Sequence, residues 1–453
     1  MNRASVLLIS PNRERFPAPV YPLALPRLAG ALERAGHAAR QFDLLAHGAE
    51  ALPQAVREAR PTLVAVSIRN VDNNDSEAPR SYLPDVREAV ASVRRETEAP
   101  VVLGGSGFSL FPQQFLRELD ADYGVVGPGE GALCALADAL ADGRSPAGIP
   151  GLIVRGGAIP DRVEADGTFA PSSHLPDLVA YYWREAGMIG VQTKRGCPRT
   201  CSYCSYPLID GRSVRLADPG AAVGEMAQLF RDHGVRYFFV VDSLFNLEPE
   251  HELAFAEELS RLGAPIQWGA FFAPTRQERG YWDALKRSGL THVELGTDAL
   301  SDPMLAAYAK GFSVADAVHT TELCAEIGLY CAHYILFGGP GETPETIRET
   351  VANAERLPRC VLFPFAGVRV YPRTAVYAHA LASGQVRGEA DCFEPRFYFA
   401  EGLDAPRIWR LVAEAATGRR EWVLPSRYPK LAPMMAHLRR SGAKGPLWEF
   451  LVT

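Results

Sequence analysis

Three cysteines lie within eight residues of one another, at Cys197, Cys201 and Cys204. No fourth cysteine or histidine follows at the spacing that would complete a tetrahedral zinc site. Thiolates are the usual ligands of iron-sulfur clusters, normally four to a cluster, so a set of three leaves one iron open to a small molecule. Gly196 and Pro198 favour a tight loop over a helix. The spacing indicates an open iron-sulfur site, with buried core cysteines or a partial zinc site as the alternatives.

Strand-helix units that could hold this loop follow one another from residue 188 to residue 383. The apolar pattern predicts strands at 191–194, 237–241, 266–271, 292–295, 331–337 and 361–371, each followed by a helix. The first of these strands leads into the cysteine loop. Parallel barrels carry their chemistry at the carboxyl ends of the strands, so we expect the functional side chains of this region there.

A second alternation of strands and helices occupies the amino-terminal part of the chain. Predicted strands at 5–9, 38–44, 63–68, 101–103 and 123–126 indicate a doubly wound parallel sheet and an α/β protein. Ligands of such sheets bind beyond the carboxyl ends of the strands, where this sequence places glycine, hydroxyl, amide and arginine residues. No G-x-G-x-x-G follows the first strand, which argues against a dinucleotide site. Tight turns of a purely structural domain are the remaining alternative.

The cysteine loop resembles that of the radical S-adenosylmethionine (SAM) superfamily, whose motif is C-x3-C-x-aromatic-C, with Tyr203 in the aromatic place. The resemblance implies a [4Fe-4S] cluster on Cys197, Cys201 and Cys204. The open iron would chelate the amino and carboxylate groups of SAM, and reductive cleavage of SAM would give a 5'-deoxyadenosyl radical. The resemblance also implies that residues 188–383 form a partial (β/α)6 barrel.

Several strand ends of this barrel carry the positions that the resemblance assigns to SAM. Acids and hydroxyls would contact its ammonium and ribose, glycines would leave room against the backbone, and a cation would pair with its carboxylate. Each carboxylate could instead be a helix cap, and each cation a surface charge. The SAM positions are Tyr203, Asp242, Ser243, Thr297, Asp298, Gly338, Gly339 and Arg369, with Lys310 as a further candidate.

The loops of the amino-terminal sheet resemble the cobalamin-binding domain fused to many radical SAM enzymes. The resemblance rests on residues 21–25, 67–70, 103–105 and 127–131. The Asp-x-His-x-x-Gly motif that supplies a histidine to cobalt is absent, which implies cobalamin bound with its own base off and no histidine on cobalt. The implied cobalamin contacts are Ser10, Asn12, Ser67, Arg69, Asn70, Gly104, Gly105, Ser106, Gly107, Phe108, Gly127, Gly129 and Glu130.

The composition of the 453 residues is that of a globular protein. Hydrophobic residues make up 47% and charged residues 22%, and the net charge is -6. A protein that binds nucleic acid through its phosphates would show a basic surplus, so we expect no nucleic-acid partner. No stretch is long and apolar enough for a transmembrane segment, and the amino terminus lacks the apolar core of a secretion signal. We therefore expect a cytoplasmic protein.

These observations predict four segments. They are a cobalamin-binding domain at 1–146, a linker at 147–187, the radical SAM partial barrel at 188–383 and a small, mostly helical carboxyl-terminal segment at 384–453. The linker includes two short predicted strands, 149–155 and 158–163. Helices predicted at 405–416 and 433–441, with several aromatic residues, suggest that the last segment is a lid over the barrel mouth.

The resemblance implies a cobalamin-dependent radical SAM enzyme. The favoured activity is methyl transfer to an unactivated carbon of a small natural-product or lipid-like substrate, through a 5'-deoxyadenosyl radical and methylcobalamin. A radical cyclisation, ring contraction or rearrangement assisted by cobalamin is the alternative enzyme, and a cobalamin sensor with a structural cluster is the alternative from another class. A SAM enzyme without cobalamin also stays open. An external electron donor such as flavodoxin or ferredoxin is the expected partner.

Overall fold

The computed structural model of the protein describes residues 3–159, 169–416, 418, 419 and 421–452, with the backbone alone for residues 415, 416 and 429. The described chain forms two compact units. The first runs from the amino terminus to Asn73 and adds Pro79–Tyr182 and Tyr206–Gly211. The second consists of Asn74–Ala78, Trp183–Ser205 and the chain from Arg212 onward.

The first unit contains a six-stranded sheet. Its strands are β1 (Ser5–Ser10), β2 (Ala38–Asp43), β3 (Leu63–Ser67), β4 (Val101–Gly104), β5 (Tyr123–Val125) and β6 (Leu152–Val154). They lie in the order β2-β1-β3-β4-β5-β6, and every neighbouring pair is parallel except β5 with β6. β1 and β3 are runs of buried apolar residues, as is typical of a sheet covered on both faces. The predicted doubly wound sheet is confirmed.

Helices alternate with these strands, and two more follow the last strand. They are α1 (Ala24–Arg34), α2 (Leu44–His47), α3 (Leu52–Ala59), α4 (Leu83–Glu96), α5 (Ser106–Leu110), α6 (Pro112–Glu118), α7 (Glu130–Ala141), α8 (Pro176–Glu185) and α9 (Tyr206–Ile209). Proline stands in the first turn of α3, α4 and α6, where its missing N–H costs no helical hydrogen bond.

The segment predicted as a linker is part of the first unit as far as Tyr182. Its first predicted strand is present as β6, at the edge of the sheet. The Tyr182 hydroxyl donates to the buried carboxylate of Asp43 at 3.0 Å, and Arg27 donates to the carbonyl of Ala170 at 2.9 Å. The first unit therefore extends well beyond residue 146. Most of the second predicted strand, 158–163, lies outside the described residues.

The second unit contains a six-stranded sheet in which all neighbouring strands are parallel. Its strands are β7 (Ile189–Val191), β10 (Tyr237–Val240), β11 (Gln267–Phe272), β12 (Leu290–Asp298), β13 (Tyr330–Phe337) and β14 (Cys360–Ala366). Two antiparallel pairs accompany it, β8 (Lys194–Arg195) with β9 (Arg215–Leu216) and β15 (Val368–Arg369) with β16 (Phe397–Tyr398). The order β14-β13-β12-β11-β10-β7 confirms the predicted succession of six strands. Pro364 lies in the edge strand β14, where a missing N–H is tolerated.

The helices of this unit follow the strands in the predicted alternation. They are α10 (Pro219–His233), α11 (Pro249–Arg261), α12 (Arg279–Arg287), α13 (Asp302–Ala307), α14 (Val314–Ile327), α15 (Pro344–Ala354), α16 (Ala375–Ala382), α17 (Ala405–Ala416) and α18 (Tyr428–Arg440). A capping box of Ser313 and Asp316 begins α14, and Gly328 with φ of 75° ends it. None of the helices in the described ranges combines the length and apolar character needed to cross a bilayer.

The carboxyl-terminal segment divides into two parts. A Cβ placed on Gly338, just after β13, would lie 3.2 Å from Phe399 and 3.3 Å from Ile408, so this first part lies at the carboxyl ends of the strands. The later part packs on the amino-terminal halves, where Trp448 and Leu451 form a buried cluster with residues such as Ala332. The predicted lid is therefore wrong for residues 421–452, because their apolar side chains cover the opposite end of the barrel.

Candidate active site

Asp242 and Ser243, directly after β10, hold the start of the cysteine loop. Asp242 is fully buried and accepts hydrogen bonds from the N–H of Thr193 at 2.8 Å, from its hydroxyl at 2.6 Å and from the N–H of Lys194 at 3.1 Å. Ser243 donates to the carbonyl of Gly196 at 3.2 Å. The carboxylate binds backbone donors that would otherwise continue the strand, so β7 ends before the predicted residue 194. Both predicted SAM residues thus position the loop, and their contact with SAM stays a prediction.

A buried ion pair fixes β8, the strand that leads into the cysteine loop. The ammonium of Lys194 lies 3.0 Å from the carboxylate of Glu252, and both side chains are fully buried. Glu252 also accepts hydrogen bonds at 2.7 Å from the N–H groups of Leu247 and Glu248 and from the hydroxyl of Tyr281. Removing one partner of such a pair leaves an uncompensated buried charge. No local motif marks Glu252, which meets the loop only in the folded chain, and sequence analysis missed it.

The aromatic residue of the cysteine motif is bound to the end of β12. Tyr203 donates to the carboxylate of Asp298, and the ammonium of Lys310 pairs with the same carboxylate. Asp298 follows a register shift after Leu295 and has φ of 63°, so a β-bulge directs its side chain. Burial opposes the charge of Lys310, but Asp298 together with Cys201 and Cys204 outweighs burial and raises the pKa of the ammonium. The structure thus brings these three candidates together as one network.

Backbone hydrogen bonds hold the middle of the cysteine loop. The N–H of Ser202 donates to the carbonyl of Tyr308, and its carbonyl accepts from the N–H of Val376, each at 3.0 Å. The guanidinium of Arg199 donates to the carbonyl of Lys310 at 2.8 Å. Two separate segments of the second unit, one after α13 and one at the start of α16, therefore fix the loop that carries the thiols.

The Gly-Gly-Pro-Gly turn after β13 is organised by Glu342, an acid that sequence analysis did not select. Its carboxylate accepts hydrogen bonds from the N–H groups of Gly338 and Gly339. Gly338 has φ of 95°, and a Cβ on Gly339 would collide with the ring of Tyr308. Burial raises the pKa of Glu342 to about 7. A carboxylate directly after a glycine-rich turn could have been identified as an acceptor for that turn's free N–H groups.

Two further predicted SAM residues have protein partners in the structure. Thr297 Oγ1 lies 2.8 Å from Nδ1 of His333, whose Nε2 lies 3.0 Å from the hydroxyl of Thr321 on α14. Arg369 donates to backbone carbonyls, among them that of Cys392 at 2.8 Å. The hydroxyl of Thr297 and the guanidinium of Arg369 thus stabilise neighbouring segments. Their assignment to SAM stays a prediction.

In the first unit, the loops after β3 and β4 pack directly on each other. The carbonyl of Ile68 accepts from the N–H of Gly107 at 2.9 Å, and the Ser106 hydroxyl donates to the carbonyl of Arg69 at 2.6 Å. A Cβ on Gly105, which has φ of 99°, would lie only 2.5 Å from the carbonyl oxygen of Ile68. The glycines that were predicted to admit a ligand thus also admit the neighbouring loop.

Arg69 is the side chain of these loops that fits a polar ligand best. Its Nε is buried and donates to no residue in the described part of the chain. Burial lowers the pKa of the guanidinium, against the opposing effect of groups that include Tyr206, Tyr82 and Glu14. A buried donor without an acceptor is costly unless a bound group supplies one. Arg69 therefore fits the implied cobalamin through an available N–H.

The other predicted cobalamin residues divide into two groups. Phe108 is fully buried, and its ring fills the space beside Gly124, so its side chain belongs to the core and only its backbone can reach a ligand. The assignment of Phe108 to cobalamin stays a prediction. The rest lie at or just beyond the carboxyl ends of β1, β3, β4 and β5; they are Ser10, Asn12, Ser67, Asn70, Gly104, Gly127, Gly129 and Glu130. The structure thus brings them to one edge of the sheet.

The thiols of the cysteine loop fit an iron-sulfur cluster. All eight cysteines of the chain are free, and Cys197, Cys201 and Cys204 share one loop. Among the described residues, no group of three or more His, Cys, Asp or Glu side chains is arranged for a single metal ion. A [4Fe-4S] cluster makes a different demand, because its thiolates bind different iron atoms. The donor set therefore suits a cluster better than a mononuclear site.

Family models match both halves of this architecture. The model described as the radical SAM superfamily matches residues 191–354, which include the cysteine loop. The model described as a B12 binding domain matches residues 10–137, which include the loops of the first sheet.

Similar proteins include methyltransferases. Tryptophan 2-C-methyltransferase from Streptomyces laurentii is 31% identical over 447 residues, which cover 82% of this chain and 74% of that enzyme. Anaerobic magnesium-protoporphyrin IX monomethyl ester cyclase from Cereibacter sphaeroides is 29% identical and covers 72% of this chain and 55% of the cyclase. The solved structure of the radical S-adenosylmethionine methyltransferase TsrM from Kitasatospora setae, with cobalamin and a [4Fe-4S] cluster bound, has a TM-score of 0.89 and 27% identity. It covers 100% of this chain and 97% of TsrM.

Proposed function

The chain belongs to the cobalamin-binding radical SAM family, and from that premise we propose that it attaches a methyl group to a carbon atom of a small substrate. The observation that carries the proposal is the 31% identity with Tryptophan 2-C-methyltransferase, which extends over 82% of this chain and hence over both units. Tryptophan and related indoles are the first substrates to test. Other small natural products and lipid-like molecules follow.

The cofactors of this enzyme are a [4Fe-4S] cluster, SAM and cobalamin. When bound, they supply the methyl group and the radical chemistry. The protein supplies position and the exclusion of water. Cys197, Cys201 and Cys204 would hold the cluster, Arg69 and the backbone at Gly104 would hold cobalamin, and the residues after β10, β12 and β13 would hold SAM.

The residues around the cysteine loop have a positioning task. Asp242 binds the backbone donors at the start of the loop, and Lys194 with Glu252 fixes the strand before it. Asp298 and Lys310 bind Tyr203 in the middle of the motif. These contacts keep the thiols in fixed places while the chain around them excludes water. Neither task requires a side-chain base.

Anaerobic reconstitution tests the proposal. The protein is loaded with iron, sulfide and hydroxocobalamin, then incubated with reductant, methyl-labelled SAM and tryptophan or a panel of indoles. We expect retained cobalamin and a product with the label on carbon, and the amount of 5'-deoxyadenosine tells whether a radical step accompanies transfer. The variant Cys201→Ala should make neither labelled product nor 5'-deoxyadenosine.

Two outcomes would overturn the proposal. If the loaded protein loses all its cobalamin on gel filtration, cobalamin takes no part in the chemistry of this protein. Consumption of substrate with 5'-deoxyadenosine formed and no label in the product would favour a cyclisation or rearrangement instead. The similarity to the magnesium-protoporphyrin IX monomethyl ester cyclase, at 29% identity, is the observation that favours this second function.

The proposed chemistry also requires a source of electrons and a reducing environment. We propose an external donor such as flavodoxin or ferredoxin, and a cytoplasmic location, where thiols stay reduced. The eight free cysteines are consistent with that compartment. Turnover with a purified flavodoxin system in place of chemical reductant tests the donor, and failure of every such protein donor would exclude it.

A further inference from the structure

Four aromatic side chains form a continuous surface along β10, β11, β13 and β14. The ring centroids of Phe239 and Phe271 lie 5.1 Å apart, those of Phe271 and Tyr334 6.1 Å, and those of Tyr334 and Phe363 5.4 Å. Each of the four is partly exposed, whereas the residues before and after it on its strand are buried. We call these four residues the aromatic wall.

The aromatic wall lies on the inner face of the sheet. His333, the neighbour of Tyr334, bonds to Thr321 of α14, and Phe272, the neighbour of Phe271, packs against Trp282 of α12 with centroids 5.3 Å apart. Successive side chains of a strand point to opposite faces. Since the neighbours contact the helices, the wall faces the space that the strands enclose, and its exposed surface is available to a ligand there.

A buried acid connects the wall to the end of the chain. Glu294 on β12 accepts a hydrogen bond from the hydroxyl of Tyr334 at 2.7 Å and from Nε1 of Trp448 at 3.2 Å. Trp448 begins the closing turn (Trp448–Leu451), which packs on the amino-terminal halves of β13 and β14. A buried carboxyl is stabilised only if its oxygens have donors, and these two side chains supply them. Residues 154 positions apart in sequence are thereby joined.

We propose that the closing turn is the floor of the substrate pocket, that Glu294 is a positioning residue which holds the ring of Tyr334, and that the pocket takes a planar aromatic molecule against the aromatic wall. The role of that molecule as the methyl acceptor rests on the proposed function. Aromatic rings attract one another beyond the area they bury, which favours a planar ligand on such a surface. The floor fixes both the depth of the pocket and the orientation of its central ring.

The variant Trp448→Phe tests the floor in the enzyme loaded with cluster and cobalamin. It keeps an aromatic ring but removes the N–H that Glu294 accepts. Binding is measured by calorimetric titration with tryptophan and with 2-naphthol, a planar probe without charge. We expect the affinity to fall about 3- to 10-fold, the effect of one hydrogen bond. Bound iron, bound cobalamin and the KM for SAM should stay as in the wild type, since a merely structural defect would change them too.

Trp422→Phe is the matched control. Trp422 lies in the same carboxyl-terminal part and is 1% exposed, but its Nε1 donates to no described residue. This variant should bind both probes like the wild type. Glu294→Ala should lose affinity like Trp448→Phe, and Glu294→Gln should restore it, because an amide can accept from Trp448 and donate to the Tyr334 oxygen.

Each outcome separates this proposal from the proposed function. If Trp448→Phe binds the probes with wild-type affinity, or if Trp422→Phe loses as much affinity as Trp448→Phe, the closing turn is not the floor of the pocket. The wild type could also bind neither probe although it retains cobalamin and cleaves SAM. That result would disprove a planar aromatic ligand, but methyl transfer to another substrate would remain the proposed function. Failure to retain cobalamin or cleave SAM would count against the proposed function, whereas probe binding would still report on the pocket.

Discussion

The carboxyl ends of the parallel strands in the two sheets are held by different kinds of contact. In the first unit, the loops after β3 and β4 hold each other through backbone hydrogen bonds and through glycines such as Gly105, which let two backbones meet. In the second unit, buried charged side chains such as Asp242 and Glu252 hold the start of the cysteine loop and the strand before it, in addition to the backbone hydrogen bonds in the middle of the loop. A loop that offers its backbone to a ligand needs close packing, whereas a loop that offers thiolates needs fixed side-chain partners.

Cys201→Ala tests the cysteine loop of the second unit and is expected to have the largest effect on activity. Loss of one of the three thiolates should abolish the cluster, and with it all 5'-deoxyadenosine and methylated product. Cobalamin should be retained, because its predicted contacts lie in the first unit. Iron and sulfide analysis, cobalamin absorbance and product mass spectrometry measure the three quantities. Cys134→Ala, on α7, is the control and should keep full iron; an equal loss in both variants would contradict the assignment.

Glu252→Ala tests the buried charges of the second unit. It leaves the ammonium of Lys194 buried without its partner, which should lower the free energy of unfolding by about 3–5 kcal/mol. Glu257→Ala removes an exposed partner of Arg261 from the same helix and should cost no more than about 1 kcal/mol. Urea unfolding followed by tryptophan fluorescence gives both values. Equal values for the two variants would mean that the buried pair is not needed to hold β8.

The strands and the cysteine loop could be predicted from the sequence because their signals are local. Apolar runs bounded by glycine and proline define buried parallel strands wherever they occur, and the spacing of Cys197, Cys201 and Cys204 is a property of one loop. The chemistry of the thiols follows from their type. These features required no knowledge of what lies opposite them in the fold.

The partners of polar residues at strand ends could not be predicted in this way. Asp242 binds backbone donors, Thr297 bonds to His333, and Arg369 bonds to carbonyls near Cys392, because each side chain meets its nearest unsatisfied group only after the strands align. The same reason explains why the closing turn was mistaken for part of a lid. The contact of Trp448 with Glu294 spans most of the second unit in sequence, and no local pattern indicates it.

Glu342→Gln tests whether the glycine-rich turn also depends on a buried acid. Burial raises the pKa of Glu342 to about 7 from an ordinary 4.5, so the folded protein holds this proton more tightly than the unfolded chain. The resulting stabilisation is complete at low pH and is lost as the pH rises through 7, by about 3 kcal/mol in total. Glutamine keeps an acceptor for the two N–H groups without titrating. The variant should therefore gain stability relative to the wild type as the pH increases.

Urea unfolding of both proteins at intervals between pH 5 and pH 8 checks this expectation, with the pH range set by the pKa of about 7. A difference in unfolding free energy that stays constant across the range would show that Glu342 does not titrate there. A difference that falls as the pH rises would contradict the raised pKa of Glu342, because an acid with a folded pKa of about 7 can only weaken the wild type over this range.

Gly105→Ala is expected to have the smallest effect of these variants, and it tests the close backbone packing of the loops in the first unit. A methyl group there would lie 2.5 Å from the carbonyl oxygen of Ile68, and the residue would keep φ of 99°. We expect a loss of about 1–3 kcal/mol in stability and less bound cobalamin, with unchanged iron. Gly131→Ala, on α7 with no atom within 4 Å of the new methyl group, should be neutral or slightly stabilising. Thermal unfolding, cobalamin retention and iron content measure both variants. A fall in iron would mean that the loops of the first unit also determine the cluster.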